Sequence, residues 1–219
     1  MKVKAIICLA ALIVAAACVP TGAARDNALD DVYFFGDSTT AHLSVRGGIP
    51  RDRVWSGVGN TMLFTSVLDK SVKIGDKLMT LAQAAAMYSP RVLVITVGAS
   101  GGAGFLSEGR FKSIFKEMIC RVRSSSPKTL LFVQSILPLS DKSKKYYKKL
   151  TKEAVLRANE WIKEVCAGEG VPYIDTHPLL TDESGYLRPE YQNDEYLHLT
   201  GAAYKVILEN ISESIAAKE

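Results

Sequence analysis

Three residues of this sequence have the right chemistry to cleave an ester together: Ser38, His198 and Glu195. Ser38 follows an apolar run, 32–35, that stops abruptly at Gly36. A serine that attacks a carbonyl needs an exposed hydroxyl, a base within hydrogen-bond reach, and donors for the charge on the carbonyl oxygen. A glycine before the serine permits a tight exit from a strand, so the hydroxyl can reach the rim of a sheet.

The serine's neighbours can support it. Asp37 and Thr39 can brace the loop through backbone hydrogen bonds, and the backbone N–H of Ser38, near the start of a short helix, can donate to an oxyanion. On its own, a Gly-Asp-Ser stretch is usually an ordinary turn. Whether Ser38 is a nucleophile therefore depends on whether the chain also supplies a base.

The sequence offers three histidines as that base, and His198 suits the role best. His42 lies one helical turn after Ser38 and is expected to point along the helix, and His177 follows the last strand; both are interpreted as structural. His198 directly precedes the final helix, with Glu195 three residues and Asp194 four residues before it. Either carboxylate could hold the imidazole in the productive tautomer, and we take Glu195 first.

The composition indicates a globular protein without a nucleic-acid partner. The 219 residues are 47% hydrophobic and 23% charged, and the formal net charge is +4. That balance suits one sizeable core, so we expect a single domain over residues 25–219. A charge this small favours neither a nucleic-acid binder nor a disordered tail.

The first 24 residues are predicted to be a secretory signal. A short basic stretch, 1–4, precedes an unbroken apolar run, 5–17, and small residues follow. The run is too short to span a bilayer comfortably. Cleavage after Ala24 would release a protein beginning at Arg25; alternatively, Cys18 follows a stretch resembling a bacterial lipobox and would carry a lipid anchor. Both outcomes export the protein, and that anchor would be its only membrane attachment.

Two cysteines, Cys120 and Cys166, belong to the body of the chain, and each falls late in a predicted helix. Export permits a disulfide between them, and free thiols are the alternative. The sequence contains no clustered Cys/His spacing, so no metal and no cofactor are expected.

Short apolar runs alternate with helical patterns along the chain. Apolar residues recur at helical spacing over 111–122 and 150–165, in a shorter stretch at 81–88, and again after Thr200, which can cap the last helix. This alternation predicts an α/β fold, a three-layer α/β/α sandwich with a five-stranded parallel sheet. The strands are expected at 32–35, 53–55, 92–97, 130–135 and 172–175.

In such a sheet, ligands bind beyond the carboxyl ends of the strands. Ser38, the glycines after Trp55 and the loop 98–104 all follow strand ends, so they are expected to share one edge.

With these blocks in order, the chain resembles the SGNH or GDSL-type hydrolases, which are secreted or cell-envelope esterases with a flavodoxin-like sandwich. The resemblance runs from Leu29 to about Ile215. It implies that Gly36-Asp37-Ser38 carries the nucleophile. It also implies that a glycine after the second strand donates a backbone N–H, and we assign this to Gly59, with Gly57 as the alternative.

The remaining two blocks depart from that family. Its third block usually places an asparagine in the oxyanion hole, whereas this chain has Ser100, whose shorter hydroxyl would donate instead; the loop from Gly98 could also supply a backbone N–H. The last block keeps His198 followed by Leu199-Thr200 but puts Glu195 at the acidic position.

The resemblance therefore implies a serine ester hydrolase that needs no cofactor. Its substrate is expected to be an acetyl or short-chain ester, either on an acylated glycan or in a small acyl ester. A lipase or thioesterase-like acylhydrolase and a non-catalytic glycan-binding relative are the alternatives. A lysine-rich run at 141–149 is predicted to be a solvated loop, with contact to an anionic cell-surface polymer as the alternative interpretation.

Overall fold

The computed structural model describes residues 28–56, 63–194 and 197–219. The predicted signal and its Cys18 therefore lie outside the described residues, and so do Gly57, Gly59 and Glu195.

Five parallel strands form the central sheet, in the order β2-β1-β5-β6-β7. The strands are β1 (Val32–Gly36), β2 (Val54–Ser56), β5 (Val92–Thr96), β6 (Leu130–Gln134) and β7 (Tyr173–Ile174). Gly36, the last residue of β1, is paired with Ser56 on one side and Thr96 on the other. Three strands thus end side by side, as expected from their sequence positions.

The predicted strands agree with the observed ones to within two residues at each end. The sequence patterns did not predict a small antiparallel hairpin, β3 (Val72–Ile74) and β4 (Lys77–Met79). Its strands are three residues each, too short for a periodicity to be recognised.

Among the residues that the structure describes, four helices of eight or more residues and three single-turn helices surround the sheet. They are α1 (Ser38–Ala41), α2 (Leu43–Arg46), α3 (Leu81–Tyr88), α4 (Glu108–Ser125), α5 (Lys152–Glu169), α6 (His177–Leu180) and α7 (Gly201–Ala216). The predicted cap is present on α7, where the Thr200 side chain accepts from the Ala203 N–H. Helix α5 runs past Gly168 and ends at Glu169, followed by Gly170, which caps it with φ 64°.

The sheet is covered on both faces. Phe35 and Ile95 point into a core formed with Phe111 and other residues of α3, α4 and α5. Phe34 and Val94 point to the opposite face, where residues of α7 such as Tyr204 cover them. This burial on both faces explains why the central strands are apolar throughout.

Cys120 and Cys166 are both free thiols, so the structure contains no disulfide between them. Cys120 is exposed and Cys166 is buried, and burial raises the pKa of the Cys166 thiol to about 12. Over the described ranges, no helix is both long and apolar enough to cross a bilayer.

Candidate active site

A close backbone approach fixes the turn that presents Ser38. An added Cβ on Gly36 would lie 2.0 Å from Thr40 Oγ1 and 2.3 Å from the Thr96 carbonyl oxygen. Only glycine fits between α1 and the end of β5. The chain can therefore turn directly from β1 into α1, whose first residue is the half-buried Ser38.

Asp37 caps this short helix. Its Oδ1 accepts hydrogen bonds from the Thr39 N–H at 3.1 Å and from the Thr39 hydroxyl at 2.7 Å. Burial raises the pKa of the Asp37 carboxyl, although the Thr39 hydrogen bonds and the nearby His198 oppose that rise. Because the carboxylate caps Thr39, the Ser38 N–H lies outside this cap.

Asp194 holds His198 by three contacts within one loop. Its Oδ2 pairs with His198 Nδ1, and its Oδ1 accepts the backbone N–H groups of Leu197 and His198, each at 3.1 Å. The Asn193 N–H donates to the His198 carbonyl oxygen at 2.9 Å and closes the loop. The pair is partly buried, with 32% of the His198 side chain and 24% of the Asp194 side chain exposed.

This arrangement gives Nδ1 of His198 a fixed partner, so the proton on Nδ1 is directed to Asp194 and Nε2 is the nitrogen left for acid–base chemistry. From the sequence alone, Glu195 is the first candidate for this role and Asp194 the second. Glu195 lies outside the described residues, and the carboxylate observed on His198 is that of Asp194.

His198 lies against the segment that begins with Ser38. Its imidazole meets the ring of His42 edge-on, with 4.6 Å between the ring centroids. His42 directly follows α1, and its backbone N–H donates to the Ser38 carbonyl oxygen at 3.3 Å. The residues at positions 38 and 198 are 160 apart in sequence, and the fold brings their segments together.

Tyr204 of helix α7 links the Ser38 segment to the helix that follows the His198 loop. Its hydroxyl donates to the Thr39 carbonyl oxygen at 2.7 Å, and its side chain is 1% exposed. Helix α7 starts directly after the His198 loop, so this bond fixes the distance between that loop and α1. Burial raises the pKa of the Tyr204 hydroxyl, which therefore stays protonated as a donor.

The loop after β5 is folded tightly around Gly98. That residue has φ 122°, and its carbonyl oxygen accepts the Ala103 N–H at 2.7 Å. The Ser100 carbonyl oxygen accepts the Phe64 N–H at 2.7 Å, which ties this loop to the chain that follows β2. The backbone of Ser100 is thus anchored, and its side chain is half-buried.

A small cavity of about 20 Å³ lies at the carboxyl ends of the strands. Its lining includes Asp37 from the Ser38 turn, Ala99 from the β5 loop, Leu139 after β6 and Leu197 beside His198. The loops singled out by the sequence therefore converge on one side of the sheet.

His177 is anchored to the edge of the sheet. Its Nδ1 donates to the Ile136 carbonyl oxygen at 2.9 Å, and its backbone N–H donates to Ser135 Oγ at 3.0 Å. The ring is buried, and burial lowers the pKa of the imidazole. These contacts hold the β6 and β7 ends together.

Sequence reasoning did not anticipate the contact between His42 and His198. Helical spacing put His42 one turn from Ser38, but the approach of the His198 loop depends on tertiary packing.

Across the three described ranges, no group of His, Cys, Asp or Glu residues is arranged to hold a metal ion.

Comparison with known proteins shows the family of the chain. A model of the GDSL-like lipase/acylhydrolase family matches residues 34–206. The chain belongs to this family. That match spans the Ser38 turn, the Ser100 loop and the His198 loop, and it makes the protein an ester or acyl hydrolase by family. Comparison with curated proteins gave no match.

Solved structures of GDSL-type proteins share the fold. A GDSL-like lipase from Bacteroides thetaiotaomicron is 17% identical over 86% of this chain and 88% of its own, with a TM-score of 0.66. A lipase/acylhydrolase from Enterococcus faecalis is 14% identical over 85% and 95%, with a TM-score of 0.56. The OSK domain of Drosophila Oskar is also similar, at 14% identity over 83% and 86% and a TM-score of 0.53. At these identities the likeness concerns the fold, the predicted parallel-sheet sandwich.

Proposed function

We propose that this GDSL-family hydrolase uses Ser38 as its nucleophile and His198 as its general base. The observation that carries the proposal is the contact of His198 with two groups at once. Its Nδ1 is paired with Asp194, and its ring lies against His42, at the end of the short helix that Ser38 begins. An imidazole that is fixed on one nitrogen and packs against the segment of a strand-end serine is suited to activate that hydroxyl.

In the proposed reaction, the Ser38 hydroxyl attacks the ester carbonyl carbon while His198 Nε2 takes the hydroxyl proton. The tetrahedral intermediate collapses, the bond to the alcohol oxygen breaks, and His198 returns the proton to that oxygen. An acyl-serine remains. Water then attacks it with His198 again as base, which releases the acid and restores the Ser38 hydroxyl.

Asp194 is the group we assign to orient His198. It remains ionised and stabilises the imidazolium that forms in each step. Glu195 was the first choice from sequence, and substitution of each carboxylate will decide between them.

The proposed oxyanion donors are the backbone N–H groups of Ser38 and Gly59, assisted by Ser100. The Ser38 N–H at the start of α1 supports this assignment, because the Asp37 carboxylate caps the next residue. Loss of one such donor typically costs about 10²–10³-fold in rate.

We further propose that the protein is exported and that its substrate is an acetyl or short-chain ester carried by a carbohydrate. The apolar leader at 5–17 supports export. The short acyl ester is the substrate that the resemblance to the GDSL-type hydrolases implies.

A fluorophosphonate probe, which reacts with activated serines, tests the nucleophile. We expect purified protein to take up one probe per chain, and Ser38→Ala protein to take up none. Labelling that persists in the Ser38→Ala variant would remove Ser38 from the mechanism. Folded protein that takes up no probe would favour the non-catalytic glycan-binding alternative.

Substitution of Ser100 tests its role in the oxyanion hole. If the hydroxyl replaces the usual asparagine, Ser100→Asn should be at least as active as the natural chain, and Ser100→Ala should lose about 10²-fold in kcat. A collapse of activity in Ser100→Asn would show that the loop from Gly98 supplies its donor through the backbone instead.

A lipase-like acylhydrolase is a second candidate because two apolar side chains are exposed beside the Ser100 loop. Phe105 is 50% exposed and Leu63 is 49% exposed, and Leu63 lies next to Gly101 of that loop. These side chains could contact a longer acyl chain. Rates on p-nitrophenyl esters from two to twelve carbons would separate the candidates: a maximum at ~2 carbons supports the first, and at ~8 or more the second.

A further inference from the structure

The positive charge of this chain is concentrated in one stretch, residues 141–153, which we call the lysine segment. It carries six lysines against the two carboxylates Asp141 and Glu153, a net charge of +4. The whole chain also has a formal net charge of +4, so all the other residues together sum to zero. Charge concentrated in this way creates a local positive potential that a dispersed charge would not.

The lysine segment adjoins the His198 loop. It follows Leu139, which lines the small cavity together with Asp37 and Leu197. Ser140 Oγ accepts the Lys142 N–H and lies 3.2 Å from Gln192 Oε1, to which it donates. Gln192 is two residues from Asp194, so one end of the lysine segment borders the loop that holds His198.

Its other end borders the Ser100 loop. A Cβ on Gly104 would lie 1.9 Å from the Lys149 carbonyl oxygen, so the two backbones are in direct contact. Lys149 Nζ lies 5.8 Å from the centre of the exposed Phe105 ring. The lysine segment thus runs along the rim of the proposed site, from the His198 loop to the loop of Ser100.

Several of its ammonium groups are available to an outside anion. Lys144, Lys145, Lys148 and Lys149 are exposed, and none forms a salt bridge with a carboxylate of the described ranges. In contrast, Lys112 on helix α4 pairs with Glu108 and Glu164, and Lys116 pairs with Glu169. Lys112 and Lys116 of helix α4 are therefore neutralised locally, whereas these four lysines at the rim are not.

Two lysines also converge on one aromatic ring. Lys144 Nζ and Lys152 Nζ each lie 4.8 Å from the centre of the Tyr186 ring. Lys152 Nζ donates to the Ser184 carbonyl oxygen at 2.8 Å. Tyr186 thereby holds two positive groups near each other beside a partly exposed ring.

We propose that the lysine segment binds the charged chain of an anionic polysaccharide, so that the ester presented to Ser38 is an acyl group on that polyanion. This inference rests on the proposed function and specifies its substrate class. Lysines spread over 13 residues suit a ligand with repeated charges better than a single small anion. Two exposed aromatic side chains, Tyr146 within the segment and Phe105 on the adjoining loop, suit sugar rings.

The test compares two triple variants with the same change in charge. Lys145→Gln/Lys148→Gln/Lys149→Gln removes three charges from the lysine segment. Lys73→Gln/Lys128→Gln/Lys218→Gln removes three exposed charges from the β3–β4 hairpin, the turn before β6 and the segment after α7. Neither variant touches a residue of the proposed catalytic machinery.

The substrates are O-acetylated polygalacturonate, O-acetylated dextran and p-nitrophenyl acetate. We expect the lysine-segment variant to lose about tenfold in kcat/KM on the acetylated polygalacturonate, and less than about twofold on the two neutral esters. The control variant should keep all three rates. Added sodium chloride should reduce the rate of the natural chain on the polyanion alone. Equal rates of both variants on the polyanion would overturn the proposal.

Binding separates failure of this inference from failure of the proposed function. Ser38→Ala protein should be retarded in gels containing unacetylated polygalacturonate, and the lysine-segment substitutions should abolish the retardation. If the natural chain binds this polymer but hydrolyses no ester, the docking surface stands and the esterase mechanism fails. Hydrolysis without polymer binding, or binding only to phosphatidylglycerol vesicles, would refute the docking inference alone.

Discussion

The imidazole rings of His42 and His198 meet edge-on, with 4.6 Å between their centroids. Burial lowers the pKa of His42, and the nearby His198 and Arg46 lower it further, whereas Asp194 raises it. A neutral His42 packs against His198 without repelling the charge that His198 gains when it takes a proton. His42 is therefore a positioning residue for the proposed base.

Substitution of His42 should separate packing from ring chemistry. His42→Phe keeps an aromatic edge against His198 and should retain kcat within about twofold, whereas His42→Ala should lower kcat about fivefold, as expected for loss of one aromatic contact. Steady-state kinetics on p-nitrophenyl acetate measure both. A full loss of activity in His42→Phe would mean that a ring nitrogen of His42 takes part directly.

The two acidic candidates beside His198 should differ sharply. Asp194→Asn keeps the loop's shape but removes the charge that pairs with His198 Nδ1, so we expect kcat to fall by about 10⁴-fold. Glu195→Gln should change kcat by less than about twofold. A large loss of kcat in Glu195→Gln with little change in Asp194→Asn would instead assign Glu195 to His198, as the sequence predicts. Circular dichroism spectra of both variants control for folding.

Gly36 should not tolerate a side chain. A methyl group there would lie 2.0 Å from Thr40 Oγ1 and 2.3 Å from a backbone oxygen of Thr96, so Gly36→Ala should cost about 3 kcal/mol in the free energy of unfolding. The matched control is Gly109→Ala in helix α4, where an added Cβ meets nothing within 4 Å. That variant should be stabilised by up to about 1 kcal/mol. Urea denaturation measures both, and similar curves would contradict the packing described at Gly36.

Tyr204→Phe should loosen the link between α7 and the Ser38 turn. The loss of its hydrogen bond to the Thr39 carbonyl oxygen should reduce the free energy of unfolding by about 1 kcal/mol. Because the same bond fixes α1 relative to the His198 loop, kcat should fall while KM on p-nitrophenyl acetate stays constant. Tyr88→Phe, on a partly exposed tyrosine of α3, is the control and should change neither quantity. An unchanged kcat in Tyr204→Phe would show that this hydrogen bond contributes to stability alone.

Acid should destabilise the fold through His177. Burial lowers the pKa of His177 in the folded protein, so below its ordinary pKa near 6.5 the unfolded chain binds a proton that the folded chain resists. This contribution to stability is complete at higher pH and is lost as the pH falls from about 6.5 towards the folded pKa. In His177→Asn, which does not titrate there, the decline in thermal midpoint from pH 7 to 5 should be shallower. An identical decline in both proteins would contradict the role given to His177.

The sequence predicted the sheet well because buried parallel strands such as 92–96 are apolar on both faces, a pattern that local composition reveals. The hairpin of β3 and β4 was not predicted, because three-residue strands show no periodicity. In the site, Ser38 and His198 could be proposed from their positions beside strand and helix ends. The sequence alone does not select the partner of His198, because both Asp194 and Glu195 are near enough and only the backbone turn determines which carboxylate reaches Nδ1.

The order in which the chain is synthesised has a consequence for when activity can arise. The Ser38 turn is among the first parts of the domain to be made, whereas His198 and helix α7, which carries Tyr204, are among the last. A nascent chain that has completed β1, β2, β5 and β6 still lacks His198, the proposed proton acceptor. Hydrolysis by the proposed pair of Ser38 and His198 would thus begin only after the His198 loop and helix α7 have left the ribosome.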